Sequence, residues 1–276
     1  MKKLIYCLLF LCVLICVLLN LFANKIIFHP RAQYAPHRLA VEEITFKTKS
    51  GADIHGVYVA PAQYMDTILL FHGNAVNITY YEDFAEVYSK RGYGILIFDY
   101  RGFGKSEGKI TAGNIYEDSI AAVEYLLKEK KTAPSNIILW GHSFGNAPAI
   151  ETALRLKDYS FKALVLQSPF TNIPQMAGAL LGGAYKPDST LQTIIIGALY
   201  AVLFDKRYDN LAKIKKVKLP LFIAYTKQDM IIPWQMSEAL ANAAPEGSLK
   251  FLSPLGKHEN FDWLEKEAID FLSKSP

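Results

Sequence analysis

Hydrophobic positions follow three patterns along the chain. From Leu4 to Ala23 they run on continuously, broken only by Asn20. Between Ile44 and Val59 they alternate with polar positions on either side of the turn-forming Ser50-Gly51-Ala52-Asp53, which predicts an antiparallel hairpin of 44–48 and 54–59. Beyond Thr67, short apolar runs rich in β-branched residues alternate with segments of helical periodicity. The predicted strands there are 67–71, 94–98, 137–140, 163–167, 219–225 and 249–252. The predicted helices are 78–91, 115–130, 146–156, 234–243 and 261–273, and Asn114 with Glu117 suggests a capping-box start for the second. Strands alternating with helices predict an α/β fold whose mostly parallel sheet is covered on both faces.

The opening run is long enough to cross a bilayer and follows Lys2 and Lys3. A cleaved signal peptide would have a shorter apolar region ending in a small-x-small site, and Leu21-Phe22-Ala23 supplies one of the two small residues. Tyr6, Leu11 and Ile15 precede the cysteines, where lipoprotein processing needs a small residue. The expected organisation is a membrane anchor over 1–24, a connecting segment rich in Pro, His and Arg over 25–43, and an α/β domain over 44–276. Lys2, Lys3 and the amino terminus nearly balance Lys25, Arg31 and Arg38 across the anchor. The usual habit of short N-terminal anchors then favours a cytoplasmic N-terminus and a non-cytoplasmic domain. Residues 169–218 interrupt the alternation. They read as a helical cap, since sites in open α/β sheets lie beyond the strands' carboxyl ends. Leu191–Phe204 is apolar nearly all round, as in a helix packed on the body or dipping into a membrane interface, with Lys and Arg residues following.

A net charge of +4 and the lack of a basic helix interleaved with aromatics argue against a nucleic-acid partner. All 3 cysteines lie in the opening run, so the domain has no internal disulfide. Its histidines lack metal-ligand spacing, and no metal or cofactor is expected. Gly102-Phe103-Gly104-Lys105-Ser106-Glu107-Gly108 is neither a phosphate loop nor a dinucleotide fingerprint, because Asp99 and Glu107 stand where those patterns need glycine. Asn77-Ile78-Thr79 reads either as a glycosylation sequon or as a helix start capped by Asn77.

Gly141-His142-Ser143-Phe144-Gly145 fits G-x-S-x-G between a predicted strand and a predicted helix. Such a turn exposes Ser143 as a nucleophile, beside the free N–H groups of a helix start. A serine nucleophile needs a base and an acid that orients the base. His258 is the one histidine after Ser143, in the loop between the last strand and the last helix. Asp229 follows the strand 219–225 and is the expected acid, ahead of Asp205, Asp209 and Asp262. The oxyanion donors should be Phe144 and, in His72-Gly73-Asn74-Ala75 after strand 67–71, Asn74. His72 reads as shaping that loop.

With these residues assembled, the chain resembles the α/β-hydrolase superfamily. Phe71-His72-Gly73-Asn74-Ala75, Asp99-Tyr100-Arg101-Gly102-Phe103-Gly104-Lys105-Ser106 and the Gly141–Gly145 turn together resemble membrane-associated serine hydrolases, a group that includes the depalmitoylating α/β-hydrolase-domain proteins and their bacterial relatives. The resemblance implies an α/β-hydrolase fold with an eight-stranded sheet, and hydrolysis of a carboxylic ester or thioester. It departs in the 169–218 insertion. A peptidase or amidase on the same triad, and a non-catalytic binding or scaffold protein of the same fold, are the alternatives.

Overall fold

The computed structural model describes residues 27–63, 65–181 and 208–275, with Tyr6, Phe10, Leu11, Leu14 and Lys25 nearer the N-terminus. The expected anchor falls mostly outside the described residues, and the apolar stretch 191–204 and Asp205 wholly so. No helix among the described residues is long and apolar enough to cross a membrane.

The strands are β1 (Glu42–Lys47), β2 (Asp53–Val59), β3 (Thr67–Phe71), β4 (Gly94–Phe98), β5 (Ile137–His142), β6 (Ala163–Gln167), β7 (Leu221–Thr226) and β8 (Leu249–Ser253). They form one 8-stranded sheet in the order β1-β2-β4-β3-β5-β6-β7-β8. The hairpin β1–β2 joins β4 antiparallel, and every later pairing is parallel. The order follows from burial. Strands β3 to β7 are buried along their whole length, as continuous apolar runs require when helices cover both faces.

Alternate residues of these strands feed two cores. Leu69, Leu96, Leu139, Leu164 and Ile223 point to one face, where they meet helices α2 (Asn114–Lys128) and α3 (Asn146–Arg155) and also α6 (Trp234–Ala243). Ile68, Leu70, Ile97, Trp140 and Phe222 point to the other, against α1 (Glu82–Lys90) and α7 (Glu265–Lys274). The insertion contributes α4 (Ile173–Leu181) and the short α5 (Asn210–Ile214).

Strand β3 sits between β4 and β5, so the chain leaves it to one side and later returns on the other. Such a switch point opens a crevice at the carboxyl ends of the strands.

The structure departs from the sequence reading at three helix starts, one of them in the segment 261–273, which begins as a 3₁₀ turn, Asp262–Leu264, before α7. The segment 78–91 begins as a 3₁₀ turn, Ile78–Tyr81, before α1. Asn77 caps that turn, accepting from Thr79 N at 3.1 Å while its Nδ2 donates to Gln33 O at 2.7 Å. Only 2% of Asn77 is exposed, so the amide of the sequon is buried and bonded. The capping box at Asn114 does not form. Gly113 is the cap residue. Asn114 Oδ1 accepts instead from Thr111 N at 2.7 Å, and Glu117 is drawn off by Ser50 and by Arg101 at 2.6 Å.

Candidate active site

The turn after β5 is built by steric exclusion. Ser143 has a φ of 55°, left-handed for a residue with a side chain. Conformations of this kind cost about 1–3 kcal/mol and persist where surrounding packing dictates them. Here the packing can be named. A Cβ on Gly145 would overlap the Phe71 carbonyl, and one on Gly141 would lie 2.6 Å from the Asn146 Cα. Both glycines therefore let the start of α3 close on β3 and β5. Asn146 then fastens the turn, its Nδ2 donating to Ser143 O at 2.7 Å and to Gln167 O at 2.8 Å. Ala75 and Ser168 also have positive φ, just past the ends of β3 and β6, so the backbone strain gathers at the crevice.

His258 comes from the loop between β8 and α7, and Asp229 from the loop after β7. Their meeting needs the parallel pairing of those strands. His258 Nδ1 lies 2.8 Å from Asp229 Oδ2, while Asp229 Oδ1 accepts from Ile231 N and Ile232 N, each at 2.8 Å. Burial alone would raise the Asp229 pKa. The His258 bond and charge and the two N–H groups outweigh it and hold the carboxyl below its ordinary value. An ionised Asp229 can only accept, so Nδ1 of His258 donates, and in the neutral ring Nε2 is the accepting nitrogen. Asp209, by contrast, caps α5 through Ala212 N, and Asp262 opens the 3₁₀ turn before α7.

Ser143, His258, Phe144 and Asn74 line one cavity of about 570 Å³. Phe170, Ile173, Met176, Ile231 and Ile232 make much of its wall apolar, and Glu259 stands at its edge. Phe144 N–H falls in the first turn of a helix, where no intrahelical acceptor exists. Among the described residues, no backbone acceptor pairs with Asn74 N–H. Gly73 N–H, in contrast, is committed to Tyr81 Oη at 2.7 Å. A second cavity of about 610 Å³, beside α3 and α5, is lined by charged groups such as Glu151, Arg155 and Lys213, with no serine, threonine or cysteine among the described residues that line it.

Sequence reasoning missed the groups behind the site. Tyr81 Oη, which accepts from Gly73 N–H, itself donates to His142 Nδ1 at 2.8 Å. The Nε2–H of His142 donates to His258 O at 2.9 Å. This chain ties the loop after β3 to the His258 loop through the residue preceding Ser143. Burial, and then the neighbouring His258, push the His142 pKa down to about 3, so the ring is neutral. Burial raises the Tyr81 hydroxyl, which stays protonated. His72 is wholly buried and its Nδ1 donates to Gly73 O at 2.7 Å, a loop-shaping contact. No pattern in the local sequence marks Tyr81, which reads as another aromatic of an amphipathic helix.

The sheet order, the strained serine turn after β5 and the Asp–His pair at the ends of β7 and β8 define the class, and the chain belongs to the α/β-hydrolase superfamily. A family profile described as serine aminopeptidase, S33, matches residues 62–191. The uncharacterized protein YfhR of Escherichia coli (strain K12) is 27% identical over 251 residues, which cover 87% of this chain and 83% of that one. The lysophosphatidylserine lipase ABHD12 of Danio rerio is 27% identical over 220 residues, or 75% of this chain and 56% of that one. The esterase Pf2001 of Pyrococcus furiosus superposes with a TM-score of 0.69 over 90% of this chain and 98% of its own, at 18% identity.

Proposed function

We propose that this protein is a membrane-anchored serine hydrolase that cleaves carboxylic esters or thioesters through an acyl-enzyme. The observation that carries this reading is the strained Ser143 sharing an apolar cavity with the Asp229-oriented His258. Ser143 Oγ attacks the acyl carbonyl and passes its proton to His258 Nε2. The N–H groups of Phe144 and Asn74 hold the oxyanion. The bond to the leaving group then breaks as His258 returns the proton to it. Water, deprotonated by the same imidazole, releases the acid and regenerates Ser143. Asp229 stays ionised throughout and stabilises the imidazolium. The lipase and esterase named among the relatives support an ester as substrate.

The anchor reading rests on the run Leu4–Ala23. Only Asn24, Lys25 and Ile26 separate it from Ile27, which lines the cavity. Three residues reach at most about 11 Å, so an anchored chain would hold the cavity at the bilayer. In the orientation usual for a short N-terminal anchor the domain is non-cytoplasmic, with 169–218 as its cap.

Labelling of the full chain by a fluorophosphonate, lost in Ser143→Ala, tests the mechanism. An unlabelled wild-type protein would remove it. A peptidase reading has one observation in its favour, since Glu259 at the cavity edge offers a carboxylate to a substrate amine. Comparing a p-nitrophenyl acyl ester with an aminoacyl p-nitroanilide separates the two. Retention in the carbonate-washed membrane pellet, lost when Leu11 and Leu14 become Asp, tests the anchor.

A further inference from the structure

Within the segment 25–43, Ile27, Phe28 and His29 lie against both groups assigned to the oxyanion hole. Asn74 Nδ2 donates to Ile27 O at 2.5 Å, and Asn74 Oδ1 accepts from His29 N at 3.0 Å. The side chain of Asn74 is thus held at both ends by backbone 45 and 47 positions away in sequence. Between these two contacts, Phe28 turns inward and is 3% exposed. Its ring meets that of Phe144 edge-on at 5.5 Å between centroids. Ile27 and His29 also line the cavity.

The segment is itself fixed further along. Pro30 restricts His29 to extended backbone, which suits a strap lying across a surface. Arg31 O accepts from Gly104 N at 3.0 Å and from Asn77 Nδ2 at 3.2 Å. His37 and Arg38 N close on Glu82, at 2.6 and 2.9 Å.

We infer that Ile27–His29 is a positioning strap that sets the two halves of the oxyanion hole relative to each other. One half, Asn74, follows β3, and the other, Phe144, follows β5. The strap grips Asn74 by its side chain amide and Phe144 by its ring, leaving both backbone N–H groups to the substrate. Ala75, with a φ of 60°, stands next to Asn74, so the loop is held in a conformation it would not otherwise favour. The oxyanion forms only as the carbonyl becomes tetrahedral. Loosening the strap therefore lowers transition-state binding more than substrate binding. The inference rests on the serine-hydrolase reading above.

The test uses the full chain in detergent, with wild-type labelling at Ser143 by fluorophosphonate measured first, so that failure of the mechanism shows separately. Asn74→Ala removes both contacts to the strap, together with the local bond from Ala75 N at 3.0 Å, but keeps the backbone N–H, and Phe28→Ala removes only the ring and leaves that local bond in place. Each should lower kcat on a p-nitrophenyl ester by about 10- to 100-fold, the loss expected of a displacement near 1 Å. KM should stay within about twofold, since the interaction is made in the transition state. Affinity for a trifluoromethyl ketone, whose adduct with Ser143 carries the oxyanion, should fall in parallel with kcat. Asn74→Asp should fail as badly as Asn74→Ala, because its carboxylate faces the Ile27 carbonyl. Unchanged kcat and ketone affinity in both Asn74→Ala and Phe28→Ala, whatever happens to Tm, would overturn the inference. So would a rise in KM with kcat intact.

Discussion

His142 donates to the backbone of His258 across 116 positions of sequence while its other nitrogen accepts from Tyr81. The ring next to Ser143 therefore braces the loop that carries His258, and it does so as a neutral imidazole. The two imidazole centroids lie 4.9 Å apart. A charged His142 there would oppose a positive charge on His258.

The brace should be visible as stability and as rate. Tyr81→Phe leaves the buried Gly73 N–H and the His142 Nδ1 without their partner. Each such group costs about 1–3 kcal/mol. Urea unfolding should show that loss, and kcat should fall with it. His142→Gln, which can accept at one end and donate at the other, should lose less than His142→Leu. Equal losses in the two variants would mean that the ring only fills space.

Acid should weaken the fold through the same residue. The ordinary histidine pKa is near 6.5, and His142 in the fold is lowered to about 3. Between these values the unfolded chain binds a proton that the native chain does not. Stability is therefore full above about pH 6.5 and falls as pH drops, by up to ~1.4 kcal/mol per pH unit. Asp229, lowered in the fold, acts in the same direction, since its stabilisation is lost as pH falls through its folded pKa. Urea midpoints measured from pH 7 to pH 5 should decline in the wild-type protein and more gently in His142→Gln.

Replacement of Asp229 by Asn should keep the fold and lose most turnover, by about 10⁴-fold, because an amide no longer fixes the Nδ1–H tautomer of His258. Circular dichroism and p-nitrophenyl ester hydrolysis measure the two halves of this expectation. Activity surviving in Asp229→Asn but not in Asp209→Asn would move the acid to another loop.

The glycines should separate by what surrounds them. Gly145→Ala drives a methyl into the Phe71 carbonyl, and backbone cannot yield as a flexible side chain does. Loss of several kcal/mol, read as insoluble or unlabelled protein, is expected. Gly51→Ala, with a φ of 88° and nothing within 4 Å, should cost only about 1–2 kcal/mol. Similar Tm losses in both would show that the turn after β5 is less crowded than described.

Much of this architecture was legible along the chain because it is written in short-range chemistry. Alternation of apolar and polar residues marked the two hairpin strands, short continuous apolar runs marked the six that follow, and G-x-S-x-G between a strand and a helix marked the turn at Ser143. The position of Asp229 and His258 followed from loops at strand ends, since parallel strands deliver those loops to one side of a sheet. The capping box failed because Glu117 found stronger partners in Arg101 and Ser50, which lie far from it in sequence.

Tertiary structure alone decided what stands behind the site. Asn74 and Ile27, Tyr81 and His142, and His142 and His258 are joined across 47, 61 and 116 positions. None of these pairs leaves a periodicity or a motif. Each exists because a buried donor or acceptor must be satisfied by whichever group the fold brings within reach, and that group is set by the order of the strands. The sequence by itself determined the elements, the glycine-bracketed turn that carries Ser143, and the loops that carry Asp229 and His258. The packing of β3 between β4 and β5 decided which distant residues hold them in place.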